Sequence, residues 1–199
     1  LEELDSIEWL DRVRFTSSNP HDMTKDILDA HFDLQTTCPY LHFALQSGDD
    51  GVLKKMNRKH SYQDFKVMVE YLRSQDSLFS ISTDIIVGFP GETQEQFENT
   101  VRAFRECDFD FAYIARYSPR KHTYAAKMTG AIDHEEKARR WNILNEELRQ
   151  SVERRNELMI GREATILVSR IEKDGRIWGR TRNFKEVFTQ SDDQVRAWD

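Results

Sequence analysis

Apolar positions in the first 120 residues fall into two alternating kinds of stretch. RVRFTSS (12–18), YLHFALQS (40–47), FSISTDIIVGF (79–89) and FAYIARYS (111–118) are short and rich in β-branched and aromatic residues. Within TDIIVGF the apolar run is unbroken by polar residues, the mark of a strand buried on both faces. Between these stretches the spacing turns helical. It predicts helices from about Met23 to Phe32, Gly51 to Met56, Ser61 to about Ser74, and Gln94 to Glu106, the last with Phe97, Val101 and Phe104 on one face. Strands alternating with helices predict parallel βαβ units in a right-handed wrap. Four parallel strands cannot close a barrel, so the expected fold is α/β, an open partial (β/α) barrel.

The pattern then changes. Asp133 and Glu136 read as a capping box, and Trp141, Leu144, Leu148 and Val152 form one apolar stripe on a long helix reaching about Ile160. Gly161 suits the position just past its end. From there the period is two: ATILVSRI, an Asp174-Gly175 turn, then RIWGRTRNF, which predicts a hairpin with a type I′ turn opening a small antiparallel unit. The expected division is 1–132 for the barrel portion, 133–160 for the connecting helix and 161–199 for the antiparallel segment.

In TDIIVGFPGET, Gly88 and Gly91 permit backbone angles closed to branched residues, Pro90 fixes one more, and Thr93 with Gln96 starts a helix at once. Loops at the carboxyl ends of parallel strands are where α/β proteins hold ligands. The other strands also end in small polar residues: Thr16, Ser17 and Ser18; Gln46, Ser47 and Gly48; Ser118. A rim of this character suits a polar small molecule, and it equally suits plain loop punctuation; both readings stay open here.

Composition narrows the class. Charged residues make up 32% of 199 and the net charge is −6, with both signs interspersed, which does not fit a globally basic nucleic-acid binder. There is no run of 18 apolar residues, and LEELDSIEWL reads as an acidic amphipathic helix rather than a signal peptide, so no membrane role is expected. Cys38 and Cys107 have neither zinc spacing nor a disulfide framework, which suits a reducing, cytoplasmic setting.

RFTSSNP, LQSGDDGVLKKMNRKHS, TDIIVGFPGET and YSP followed by AAKM, in this order, resemble the radical-SAM methylthiotransferases. The nearest type adds a methylthio group to isopentenyl-adenosine beside the tRNA anticodon. The last forty residues, with ILV…GRTRN, look like the opening of that family's OB-like TRAM domain. The resemblance implies S-adenosyl-L-methionine (SAM) across the carboxyl rim, two 4Fe–4S clusters, a tRNA substrate and an electron-donor protein. It places Gln46 and Ser47 near the amino-acid or ribose part of SAM and Gly88 where adenine or a backbone comes close. Asp84 would orient the loop, and Ser118 would contact adenine or substrate. Arg14 would pair with the SAM carboxylate or a phosphate, an inward structural ion pair being the alternative.

No catalytic residue and no metal ligand is expected in these residues. The family's CxxxCxxC motif is not in this sequence, so the chain reads as part of a longer enzyme, inactive alone. KHTYAAKM (121–128) stands where the family has a Pro-Gly-Thr-Pro turn. Arg176, Trp178, Arg180 and Arg182 would share one hairpin face, offering charge for RNA phosphate and a ring for stacking, or simply a solvated face over a core Trp. Other readings are a threonylcarbamoyl-adenosine tRNA or a ribosomal-protein aspartate as substrate, or a non-catalytic RNA-binding α/β protein. Gln-Ser-Gly at 46–48 favours tRNA within the family.

Overall fold

Leu41, Phe43, Leu45, Ile81 and Ile85 are fully buried on one side of a parallel sheet, and that burial organises the first layer. In the computed structural model, residues 1–16 and 18–190 are described; Ser17 and 191–199 lie outside the described residues. Strands β1 (Tyr40–His42), β2 (Ser80–Val87) and β3 (Phe111–Arg116) pair in that order, all parallel, with Leu41 opposite Ile81 and Ile85 opposite Ile114. Residues 12–16 and Ser18 do not form the expected regular strand. The segment runs alongside β1 through isolated parallel bridges, Val13 to Thr37 and Ser18 to Phe43, because between them it turns Arg14 toward a second sheet.

Helices α2 (Lys25–Asp33), α3 (Asp50–Lys55), α4 (Tyr62–Gln75) and α5 (Gln94–Cys107) fill the connections, and the long α6 (His134–Glu157) packs on α5 and β3. Phe43 stacks on Phe65 at 4.2 Å between ring centroids, and Phe97 and Phe104 from α5 complete the core. Each such ring contributes about 1.5–3 kcal/mol by burial. Thr93 and Gln96 form a reciprocal capping box that starts α5 directly after the β2 loop. At α6 only half a box forms: Asp133 accepts from the Glu136 amide, but the Glu136 carboxylate turns to Arg139 and Arg140. The amino-terminal segment is not the expected amphipathic helix. Only Glu2–Asp5 (α1) is helical, since the Asp5 carboxylate is drawn to the amide and hydroxyl of Thr36, at 2.8 Å each.

The other face of the parallel sheet carries Tyr40, His42, Ser82, Asp84, Phe111 and Tyr113, and the last two are exposed. A separate antiparallel sheet follows, β4 (Ile166–Ile171), β5 (Arg176–Thr181) and β6 (Glu186–Gln190), in sequence order. Its first turn is not type I′. Only Gly175 has positive φ (84°) while Asp174 does not, and I′ needs both; the Gly175 amide donates to Glu172 O at 3.1 Å, closing a turn that ends in one left-handed glycine.

The two sheets are joined by arginines donating to backbone carbonyls: Arg12 to Arg180 O (2.8 Å), Arg14 to Thr181 O (3.0 Å) and Arg182 to Asp11 O (3.2 Å). Below them, buried Asp110 meets Lys185 (2.6 Å), Arg155 (3.3 Å) and Arg73 (3.3 Å). Among the described residues, no helix is long and apolar enough to cross a membrane.

Candidate functional site

The carboxyl ends of β1, β2 and β3 meet at an open cleft of about 1180 Å³. Each end is held by an unusual local feature. After β1 the chain reaches Gln46 with φ 72°, a left-handed conformation costing a non-glycine residue about 1–2 kcal/mol. It is fixed on both sides by main-chain bonds to β2, Gln46 N to Asp84 O (2.8 Å) and Ile86 N to Gln46 O (3.0 Å). Gln46 itself is buried against the cleft, and Ser118 and Tyr117 line the same space from the β3 end.

The β2 loop turns at Gly88 (φ 73°), whose amide donates to Glu92 Oε2 at 2.8 Å. The Glu92 carboxylate is buried and receives Arg140 Nη1 at 2.8 Å, while Arg140 Nε reaches Glu136 Oε1 at 2.7 Å. Burial pushes the Glu92 carboxyl upward, opposed by the hydrogen bonds from Gly88 and Arg140. The loop is thus clamped through a charge on α6 rather than by packing alone. Gly91 adds a second tie, its amide donating to Gly130 O (2.8 Å) and its carbonyl accepting from Lys55 Nζ (3.0 Å). Phe89 meets Tyr117 edge to face at 5.2 Å, and the Tyr117 hydroxyl is buried without a hydrogen-bond partner among the described residues.

Several expected site residues lie elsewhere. The atom that crowds Gly88 is not backbone: a β-carbon there would overlap the Lys137 side chain, which reaches over to donate to Tyr117 O (3.2 Å). The Ser47 hydroxyl is buried, turned away from the cleft toward Thr100 Oγ1 (3.3 Å), and accepts from the Asp49 amide. Asp84 sits mid-strand and meets His42 Nε2 at 3.2 Å instead of orienting the loop, while His42 Nδ1 contacts Ser82 Oγ at 2.8 Å. Arg14 lies toward the amino end of the sheet, committed to Thr181 O and Arg182 O and stacked on Phe184 at 5.2 Å. It does not share the cleft with Gln46.

On the hairpin, Arg176, Trp178, Arg180 and Arg182 do alternate onto one face of β5 and its continuation, but they differ in what they touch. Arg176 is paired with Glu172 and Asp174, both at 2.8 Å. Arg180 lies over Phe184 at 4.5 Å, and Trp178 is flanked by Arg170 and Phe188. Arg182 is spent on the carbonyls of Asp11, Gln35 and Thr37. Cys38 and Cys107 are buried on separate elements, and burial raises both thiols, Cys107 to about 12.

Glu92, Arg140, Tyr117 and His42 were not singled out from the sequence. Glu92 had a signal, an acid inside a tight apolar turn. Arg140 had none, because its partner lies 48 residues away.

Parallel βα units with a partly polar cleft at their carboxyl rim define a partial α/β barrel. The chain belongs to the radical SAM superfamily, whose family model matches residues 3–104. It is 37% identical over 195 residues to the tRNA-2-methylthio-N(6)-dimethylallyladenosine synthase of Caldicellulosiruptor saccharolyticus, covering 98% of this chain and 41% of that protein. The enzymes of the same name from Endomicrobium trichonymphae and Opitutus terrae are each 40% identical, over 93% and 98% of this chain and 44% and 41% of theirs. The chain therefore spans less than half the length of these relatives. Its fold is similar to that of coproporphyrinogen III oxidase from Escherichia coli, a radical SAM enzyme, with a TM-score of 0.57 at 22% identity, over 68% of this chain and 32% of that one.

Proposed function

We propose that this chain is the part of a tRNA methylthiotransferase that seats the adenosine portion of SAM and the target base at the barrel's carboxyl rim. The observation that carries the reading is the cleft itself, with left-handed Gln46 on one side and the Glu92-clamped loop on the other. Its residues fit an adenosine. Ile86, Phe89 and Met128 offer apolar surface for a purine face, and the partnerless Tyr117 hydroxyl is a polar group placed for its edge. They do not fit an iron–sulfur cluster: the two thiols are buried apart, and among the described residues no three His, Cys, Asp or Glu side chains converge. On this reading both 4Fe–4S clusters take their ligands from other parts of a longer protein.

SAM bound in the cleft supplies the radical chemistry and the methyl group. The residues here bind and orient. Gln46 and the Gly88 turn fix the two walls, Phe89 and Tyr117 keep water from one side, and the Glu92–Arg140 pair holds the loop so that the walls do not drift. No side chain is required as a general base. The reading carries an electron-donor partner and a cytoplasmic setting with it, and treats 161–199 as the opening of a TRAM-type domain. Arg180 and Trp178 remain RNA contacts there, Arg176 a lesser one, while Arg182 serves the join.

Two measurements test this. Nucleoside mass spectrometry of tRNA from cells lacking the full-length protein should show loss of the methylthio group from isopentenyl-adenosine; intact modification refutes the reading, and loss from threonylcarbamoyl-adenosine instead shifts the substrate. In the full-length protein, Tyr117→Phe removes a hydroxyl with no partner among the described residues, so stability should hold while SAM affinity falls about five- to tenfold, as for one lost hydrogen bond. Unchanged affinity removes Tyr117 from the site.

A further inference from the structure

In a protein of net charge −6, the cleft is lined, among the described residues, by five cations and no acid: Lys54, Lys55 and Arg58 on the α3 side, Arg116 and Arg120 on the β3 side. None of the five takes part in an ion pair among the described residues. Lys55 donates to Gly91 O and Arg116 contacts His134, while the side chains of Lys54, Arg58 and Arg120 make no hydrogen bond there. The hairpin arginines are the opposite case, since Arg170, Arg176 and Arg180 each face a carboxylate and Arg182 also lies near Asp11.

We infer that the mouth of the cleft is the main phosphate-binding surface of this protein, and that an RNA backbone crosses it from the α3 wall to the β3 wall; the inference rests on the tRNA reading above and deepens it. Cations left unpaired at a concave, acid-free mouth repel one another and concentrate polyanions. A backbone that neutralises them releases counterions, which unpaired cations permit and paired ones oppose. The last turn of α3 accounts for Lys54 and Lys55 as partners of a helix dipole, but α3 has six residues, and the dipole explains neither the second wall nor the missing acids. Tyr124, 80% exposed beside Arg120, adds a ring on which a base flanking the target stacks. A base directed inward from such a backbone meets Ile86, Phe89 and Met128, so affinity and positioning come from the same wall.

The test uses the full-length protein and an RNA anticodon stem-loop with adenosine beside the anticodon, followed by fluorescence anisotropy from low to moderate salt. Lys54→Ala, Arg58→Ala and Arg120→Ala combined remove three cations without removing a hydrogen bond seen in the structure. The slope of log affinity against log salt should become shallower by about 2, at about 0.7 per single-strand phosphate contact. The same three positions as Lys54→Arg, Arg58→Lys and Arg120→Lys should keep the wild-type slope. Arg176→Ala should flatten it by less than one full contact, its charge being already paired. If the triple alanine variant keeps the wild-type slope while wild type binds RNA, the inference falls and the tRNA reading stands. If Arg176→Ala flattens the slope and the triple variant does not, the phosphate surface is on the hairpin and the inference is likewise overturned. If wild type shows no salt-sensitive RNA binding, the tRNA reading falls and takes this surface with it.

Discussion

Replacing Arg140 by alanine takes the cation away from a carboxylate folded into the protein around it. Glu92 and Arg140 are 1% and 5% exposed in their side chains, and their 2.8 Å contact is flanked by Gly88 N and Glu136. Removing one partner of such a buried pair costs about 3–5 kcal/mol, because the remaining charge is left without compensation. In a chain of this length that lowers Tm by about 6–20 °C. Glu92 has one escape, which is to take up a proton. Burial already pushes its carboxyl upward, so in the variant its folded pKa stands well above the unfolded value. A raised folded pKa contributes stability that is complete below the unfolded pKa and lost as pH rises through the folded one. The Arg140→Ala penalty should therefore be smaller at pH 5 than at pH 8. Urea denaturation at the two pH values measures it. Adding Glu92→Gln should recover part of the loss, since an amide still accepts from Gly88 and carries no charge. A penalty under about 1 kcal/mol at pH 8, or one that does not change with pH, would refute the claim that a buried charge pair holds the loop.

Three further outcomes follow from the same geometry. Gly88→Ala should cost about 1–2 kcal/mol from its φ of 73° plus a steric part from the Lys137 stem; Lys137→Ala in the same chain should remove only the steric part, and a fully additive double variant would show that Lys137 does not crowd the turn. Asp110→Asn leaves Lys185, Arg73 and Arg155 without their shared counter-charge and should cost at least about 3 kcal/mol by urea denaturation, whereas Lys185→Met leaves two cations on Asp110 and should cost about 1 kcal/mol or less; equal losses would mean the cluster is not a charge hub. Glu136 is held down to about 2, first by Arg139, so its contribution is complete above about pH 4.5 and lost as pH falls toward 2; Glu136→Gln should flatten that part of the acid-stability curve, and parallel curves for variant and wild type would contradict it.

The alternation of strand and helix, the start of α5 and the change of period after Gly161 were all legible, because periodicity reports which face of an element is buried. It does not report what lies across from that face. Gly88 was expected to face adenine or a backbone, yet the side chain that crowds its turn belongs to a helix that begins more than forty residues later. Arg14 and Arg182 looked like ligand contacts because free arginines in a rim or hairpin usually meet anions. Their partners are main-chain carbonyls, and every residue carries one, so no sequence pattern marks them. Residues 12–18 have strand composition, but 12–16 give up the regular ladder to those same bonds. Glu92 passed unremarked in the sequence, since its partner Arg140 lies 48 residues further on.

That choice of carbonyls has a consequence for how this molecule tolerates change over generations. Arg12, Arg14 and Arg182 grip positions 180, 181, 182, 11, 35 and 37 through an atom that mutation does not alter. Substitutions at the gripped positions other than 182 keep the grip, provided the backbone path is kept. The burden of inheritance then falls on three arginines, and their neighbours are free to drift. The antiparallel unit can vary its outward residues without renegotiating its attachment to the barrel.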